Sequence, residues 1–270
     1  MHRDTPRDRP GPGRLTRRKE REAAGLFLAE GPQSVREALR AGVVTDLYVD
    51  PAARDRLGEL EALAAEAGLR TQPLTGRDLA ALTDTVTPQG VVAVCRRVDV
   101  PLDQAVRPGS GLVVCCAQVR DPGNAGTVVR CADAFGADGV VLSTGSVELT
   151  NPKTVRASVG SLFHLPVSVG AELSAVVAAA HEAGLQVLAA DGSGDADLAE
   201  LSAGGELERP TLWVFGNEAW GMPAADRALA DRVVRVPLYG AAESLNLATA
   251  AAVCLWTSAT AQRRAGTSPG

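Results

Sequence analysis

Between roughly Leu15 and Arg97, short apolar runs alternate with segments whose apolar positions recur every three or four residues. Residues 25–28, 45–49 and 91–95 read as strands, and 32–41, 53–67 and 76–81 as helices, which together predict a small α/β domain over 15–98. The VDVPLDQAVRPGS stretch that follows breaks the pattern with two prolines and a Gly-Ser, so 99–110 reads as a linker. Beyond it, apolar β-type runs fall at 112–117, 139–142, 166–169, 186–190, 212–215 and 233–237, with helix-compatible segments between them. This alternation predicts a mainly parallel sheet covered on both faces over 111–265. Residues 244–264 are Ala-rich and free of Gly and Pro, and predict a long closing helix. No internal repeat interrupts this plan.

Composition narrows the class. With 46% hydrophobic residues in 270, the chain can bury ordinary globular cores, and no stretch reaches the 18 or so apolar residues of a membrane span. The N-terminal MHRDTPRDRPGPGRL lacks the apolar core of a secretory signal, so the expected location is cytoplasmic, with no membrane partner. Cys95, Cys115, Cys116, Cys131 and Cys254 sit in apolar runs without a CxxC pair, and only three histidines are available to share a metal. They read as buried reduced thiols, and no metal is expected.

Charge changes the picture at one end. The net charge of −5 argues by itself against a nucleic-acid partner, but residues 1–21 carry eight basic side chains against three acidic ones. That balance of +5 leaves −10 for the remainder, and 1–14 reads as a disordered basic arm on an acidic body. Phosphate contact and simple solubilisation both fit such an arm.

Ligands in open parallel sheets gather at loops beyond the strand carboxyl ends. Three such loops place glycine beside Asn, Glu or Ser after an apolar run: RDPGNAGTVVR (120–130), GNEAWGM (216–222) and PLYGAAESLN (237–246). Asn124 is placed to cap a helix starting near Gly126, with Arg130 on the flank away from the apolar stripe of Val128, Val129, Ala132 and Phe135. Singly, each loop also reads as an ordinary turn and cap, and an Arg on a helix as a solvated face. Their joint occurrence in one sheet is the informative feature. Asp191-Gly-Ser-Gly-Asp imitates a nucleotide loop but lacks the third glycine, and reads as a surface turn. No Walker lysine is present, His164 reads as structural, and Ser110, Ser143 and Ser161 lack a nucleophile-elbow context.

At the three loops the sequence resembles the SpoU (TrmH-like) family of SPOUT-superfamily RNA 2′-O-ribose methyltransferases. The residues carrying the resemblance are DPGNAGTVVRCADAFGADGVVLS (121–143) continuing into NPKTVRASVGSLFHLPV (151–167), LWVFGNEAWGM (212–222) and VPLYGAAESLNLATAAAVCL (236–255). The N-terminal half, through LTRRKEREAAGLFLAEGPQSVREAL (15–39) and TPQGVVAV (87–94), is similar to the family's small ribosomal-protein-like RNA-binding domain. The resemblance implies a trefoil knot at the C-terminal end of the catalytic domain, a homodimer whose interface borders the active site, and S-adenosylmethionine resting near Gly216, Val236, Leu238 and Leu245. It also implies a central role for Arg130, with Asn124, Glu218, Ser244 and Asn246 arranging the site, and an RNA substrate, ribosomal more than transfer RNA.

A sulfonium is an activated methyl donor, so such an enzyme has to align a ribose hydroxyl and help remove its proton. A free guanidinium is a poor base. Arg130 therefore either accepts the proton in a perturbed setting or clamps phosphate and developing charge while water takes it; the clamp is the preferred reading. Arg14, Arg17, Arg18 and Lys19 are the expected RNA phosphate contacts. A non-catalytic RNA-binding or ribosome-assembly protein of the same fold is the competing class, and it would not require the set Asn124, Arg130, Glu218, Ser244 and Asn246.

Overall fold

The computed structural model describes residues 11–83, 85, 87–217 and 220–266. Two compact units emerge: one holds the described residues up to Val98 together with Thr150–Phe163, the other Asp99–Leu149 and the described residues from His164 onward.

The first unit opens with a 3-10 turn, Pro12–Thr16, whose Leu15 is fully buried. It continues as α1 (Arg18–Ala24), β1 (Leu26–Glu30), α2 (Pro32–Arg40), β2 (Val44–Val49), α3 (Gly58–Glu66), β3 (Thr71–Pro73), α4 (Gly76–Ala80) and β4 (Val91–Arg96). The sheet order is β1-β4-β2-β3, antiparallel except between β2 and β3. Arg21 is buried, and its guanidinium donates to the carbonyls of Leu15 (3.1 Å) and Thr16 (2.9 Å), closing the opening turn onto α1. A later helix, Pro152–Ser158 (α7 in chain order), belongs to this unit and ion-pairs Arg156 with Glu30 at the end of β1.

The second unit is built on eight strands in the order β10-β12-β9-β11-β6-β7-β8-β5, every neighbouring pair parallel. In chain order these are β5 (Asp99–Val100), α5 (Leu102–Ala105), β6 (Leu112–Cys116), α6 (Pro122–Ala134), β7 (Gly139–Leu142), β8 (Val167–Val169), α8 (Leu173–Glu182), β9 (Gln186–Ala190), β10 (Ala196–Asp197), α9 (Leu198–Ala203), β11 (Thr211–Phe215), α10 (Ala224–Arg227), β12 (Arg232–Arg235) and α11 (Leu247–Arg264). All residues of β6, β7 and β11 are buried, as strands covered on both faces require. Along α11 the buried positions Leu247, Ala251, Cys254, Leu255, Ser258 and Gln262 recur at helical spacing, so one stripe faces the core. Within that stripe Ser258 accepts the indole N–H of fully buried Trp213 (2.9 Å), and Gln262 donates to the carbonyls of Gly111 (2.8 Å) and Arg209 (2.9 Å). These bonds fix the helix against β11 and the starts of β6 and β11.

The observed elements depart from the sequence expectation at five places. The 3-10 turn Pro12–Thr16 lies partly within the segment expected to be a disordered arm, because Leu15 has a core to enter, while residues 1–10 lie outside the described residues. The stretch expected as a linker, 99–110, instead holds β5 and α5, and β5 extends the large sheet by pairing with β8. The expected helix over 53–67 divides into a 3-10 turn, Pro51–Arg56, and α3, with Leu57 between them. The helix expected to start near Gly126 starts at Pro122, and the closing helix at Leu247 rather than at Ser244.

Candidate active site

Along the large sheet β6 leads to its neighbour β7 on one side while β11 leads to β12 on the other, so the strand order switches between β6 and β11. Beyond the carboxyl ends near that switch lies a crevice of about 540 Å3. Its walls come from Ala190–Gly192 after β9, from Phe215, Gly216, Asn217, Gly221 and Met222 around the loop after β11, from Val234, Val236 and Leu238 in and after β12, and from Glu243 through Leu247 at the entry to α11. Asn124 of α6 completes it.

Local chemistry dictates the shape of each wall. Asn217 and Gly221 exchange backbone hydrogen bonds (3.1 and 2.9 Å), closing the loop after β11 into a tight turn. Gly221 takes φ +67°, and a Cβ on Gly216 would come within 2.9 Å of the Gly221 carbonyl, so the turn needs glycine at both positions. The Asn217 side chain donates to the Gln118 carbonyl (2.8 Å), tying this loop to the segment after β6. Asp191 accepts from the Ser193 hydroxyl (2.6 Å) and N–H (2.9 Å), with Arg227 3.6 Å away. Burial opposes ionisation of this carboxyl, but the Ser193 donors, the Arg227 guanidinium and a backbone hydrogen bond from Met222 outweigh it and hold its pKa below the usual range. An anionic group is thus fixed in the crevice wall.

Asn246 has two functions. Its Oδ1 accepts from the N–H groups of Ala248 (2.9 Å) and Thr249 (3.3 Å), making it the N-cap of α11, while its Nδ2 donates to the Asn124 Oδ1 (3.1 Å). Two side chains 122 positions apart are thereby joined in one wall of the crevice.

Of the residues singled out from the sequence, Asn124, Gly216, Val236, Leu238, Ser244, Leu245 and Asn246 all line this crevice. Arg130 does not: it stands exposed on α6 outside the lining. Glu218 lies outside the described residues. Asn124 is not the cap of α6, because Asp121 takes that position and accepts the Asn124 N–H (2.8 Å), leaving the Asn124 side chain to the crevice. Ser244 precedes α11 and does not cap it. The Asp191-Gly192 turn, expected to be a plain surface feature, is a wall of the crevice because β9 ends beside β11 and β12. Asn217 was likewise missed as a positioning group. In the first unit Arg14 and Arg18 are exposed but ion-paired with Glu20 and Glu22 (2.7 Å each), whereas Arg17 and Lys19 are exposed with no such pair among the described residues.

A parallel sheet with its central strands fully buried and a glycine-lined crevice near its switch point defines an α/β domain of the kind that takes a small ligand there, and a second, small α/β unit accompanies it. Comparison with known proteins sharpens this. The sequence profile of the SpoU rRNA Methylase family matches residues 111–256, and that of the MRM3-like substrate binding domain matches residues 13–93. The chain is 36% identical over 244 residues to the 23S rRNA (guanosine(2553)-2'-O)-methyltransferase RlmP of Bacillus subtilis, spanning 90% of this chain and 92% of that one. It is 34% identical over 257 residues to a 23S rRNA (uridine(2479)-2'-O)-methyltransferase of Streptomyces viridochromogenes, spanning 90% and 85%. Among solved structures, the SpoU methyltransferase AviRb from Streptomyces viridochromogenes in complex with the cofactor AdoMet matches with a TM-score of 0.79 at 31% identity, over 94% of this chain and 98% of that one. An AdoMet-bound rRNA methyltransferase from Sinorhizobium meliloti matches with a TM-score of 0.76 at 29% identity, over 92% of each. The chain belongs to the SpoU rRNA Methylase family, and with it to the SPOUT methyltransferases.

Proposed function

We propose that this chain is an S-adenosylmethionine-dependent methyltransferase that modifies ribose 2′-hydroxyls of ribosomal RNA. The observation that carries the reading is the crevice itself: three sequence-distant loops converge there, two of them joined by the Asn124–Asn246 hydrogen bond and the third tied to the segment after β6 by Asn217. Its volume falls in the range of small-molecule sites, and its lining suits the cofactor, with apolar Phe215, Met222, Val236 and Leu245 for a purine and the methylene groups flanking the sulfonium, and polar groups at few points. Bound there, S-adenosylmethionine supplies a methyl group already activated by its sulfonium.

The chain's own residues do the rest. Asn124 and Asn246 hold the wall and orient the ribose, with Ser244 beside them; Gly216, Val236, Leu238 and Leu245 form the cofactor wall; Glu218 shapes the loop after β11. Arg130 clamps the RNA phosphate and the charge that develops on the ribose oxygen, while water takes the proton. Because Arg130 stands outside its own chain's crevice, a homodimer bordering the site belongs to this reading: a second copy seated on the exposed Val253 and Trp256 of α11 would bring a guanidinium to the ribose. The C-terminal trefoil knot belongs to it too, supported by β12 lying between β9 and β10 while the chain after it lines the same crevice as Asp191 and Gly216. The small domain holds the RNA, with Arg17 and Lys19, which make no ion pair among the described residues, supplying cations to it. A ribosomal RNA substrate supports a cytoplasmic location.

The test is methyl transfer from labelled S-adenosylmethionine to ribosomal RNA with Arg130→Ala beside the natural chain. Transfer is abolished while cofactor affinity by calorimetry stays nearly intact; retained turnover would reject the role of Arg130 both as clamp and as base.

A further inference from the structure

The crevice has a rim that the reaction so far leaves unused. Trp220 sits between two crevice-lining residues, Asn217 and Gly221, yet is 52% exposed, while Trp213 is fully buried. The Arg120 guanidinium lies over its indole, 4.9 Å from the ring centroid. Arg120 is itself exposed and four positions before Asn124.

This pairing is built from below. Gln118, directly before Val119 and Arg120, takes φ +56°, a left-handed conformation that side chains other than glycine rarely adopt. Three contacts hold it: its carbonyl accepts from Asn217 (2.8 Å), its N–H donates to the Ser143 hydroxyl (3.1 Å), and its amide donates to Asp226 (3.4 Å). The Asn217 bond fixes the segment after β6 to the loop after β11, and the Asn217–Gly221 turn fixes that loop to itself. Arg120 and Trp220 are the residues these two tied segments place against each other.

We propose that Arg120 and Trp220 form a nucleobase subsite on the rim of the crevice, taking an unstacked base next to the ribose being methylated. It rests on the RNA 2′-O-methyl transfer proposed above. An indole offers a face on which any base stacks, and single-stranded RNA is held by aromatic platforms of this kind. A guanidinium stacked on such a ring keeps its in-plane N–H donors, so Arg120 can hold the adjoining phosphate while backing the indole. A cluster of cations without the aromatic ring would grip phosphate alone; the ring is what selects a base.

The experiment uses the full chain with a short single-stranded oligonucleotide spanning a methylated position. Its addition quenches tryptophan fluorescence, and the quench disappears in Trp220→Phe. An oligonucleotide with the same phosphates but an abasic neighbour to the target loses most of the quench. Trp220→Ala raises the KM for RNA about tenfold with S-adenosylmethionine affinity unchanged, and Trp220→Phe, which still stacks, recovers most of it. The inference is overturned if the abasic oligonucleotide quenches as well as the intact one, if KM is unmoved in Trp220→Ala, or if that substitution changes only the oligomeric state. Because the quench needs no turnover, it decides the subsite even if methyl transfer to RNA is not observed.

Discussion

Asn246 allows stability and chemistry to be separated at one side chain. Asn246→Ala removes both the α11 cap and the bond to Asn124, and losing a cap of this kind costs about 1 kcal/mol. For a domain of this size that lowers Tm by about 2–4 °C. Asn246→Ser keeps a good cap acceptor but is too short to cap α11 and reach Asn124 together, so its Tm stays within about 1 °C of the natural chain. Asn124→Ala also leaves its helix cap intact, because Asp121 provides it. Thermal denaturation and single-turnover methyl transfer on the three variants and on the Asn124→Ala/Asn246→Ser pair supply a double-mutant cycle. Each of the latter single variants slows transfer up to about 100-fold through misplacement of the ribose, and the double variant is no slower than the worse single one. Equal destabilisation by Asn246→Ser and Asn246→Ala would refute the cap, and rate losses that multiply in the double variant would refute the shared hydrogen bond.

Other consequences are open to direct measurement. Ser258→Ala leaves the Trp213 indole N–H buried without an acceptor, and urea denaturation should show a loss of about 1–3 kcal/mol; an unchanged midpoint would mean the bond contributes nothing net. Burial pushes the thiols of Cys95, Cys115 and Cys254 up from the ordinary value of 9.0, so the neutral thiol is the form the fold favours. Their contribution is intact below pH 9.0 and is lost as pH climbs beyond it, so stability should fall across the alkaline range. At pH 8 a thiol reagent should reach only half-buried Cys131 before unfolding; rapid labelling of several thiols would contradict this. Arg17→Ala with Lys19→Ala should weaken RNA binding and reduce the slope of log affinity against log salt, by about 0.7 to 0.9 for each phosphate these side chains neutralise; an unaltered slope would remove both residues from the interface.

The sequence displayed what depends on local chemistry. Glycine beside Asn, Glu or Ser after buried strands pointed to Asn124, Gly216, Ser244 and Asn246, and all four line the crevice. The cap of α6 escaped, because Asp121 and Asn124 are equally good caps chemically, although Pro122 at the first helical position favours Asp121. What else escaped depends on strand order. Asp191-Gly192 becomes a wall only because β9 lies between β11 and β12, and periodicity cannot order strands. The segment 99–110 hid β5 because a two-residue strand has no pattern and its prolines resemble a linker. Helical spacing placed Arg130 away from the apolar stripe, which accounts for its exposure but not for which site it serves. The Arg120–Trp220 pair depends on the left-handed turn at Gln118, a position where nothing in the residue type announces a positive φ.

Transfer to a ribose oxygen can be read from alkaline hydrolysis, which requires a free 2′-hydroxyl next to the phosphate. Ribosomal RNA should be methylated by the purified chain with labelled S-adenosylmethionine and then digested in alkali. The label is predicted to remain in alkali-resistant dinucleotides, and to vanish with Arg130→Ala. Label recovered in single nucleotides or free bases, or no label above an enzyme-free control, would contradict a 2′-O-methyltransferase built on this crevice.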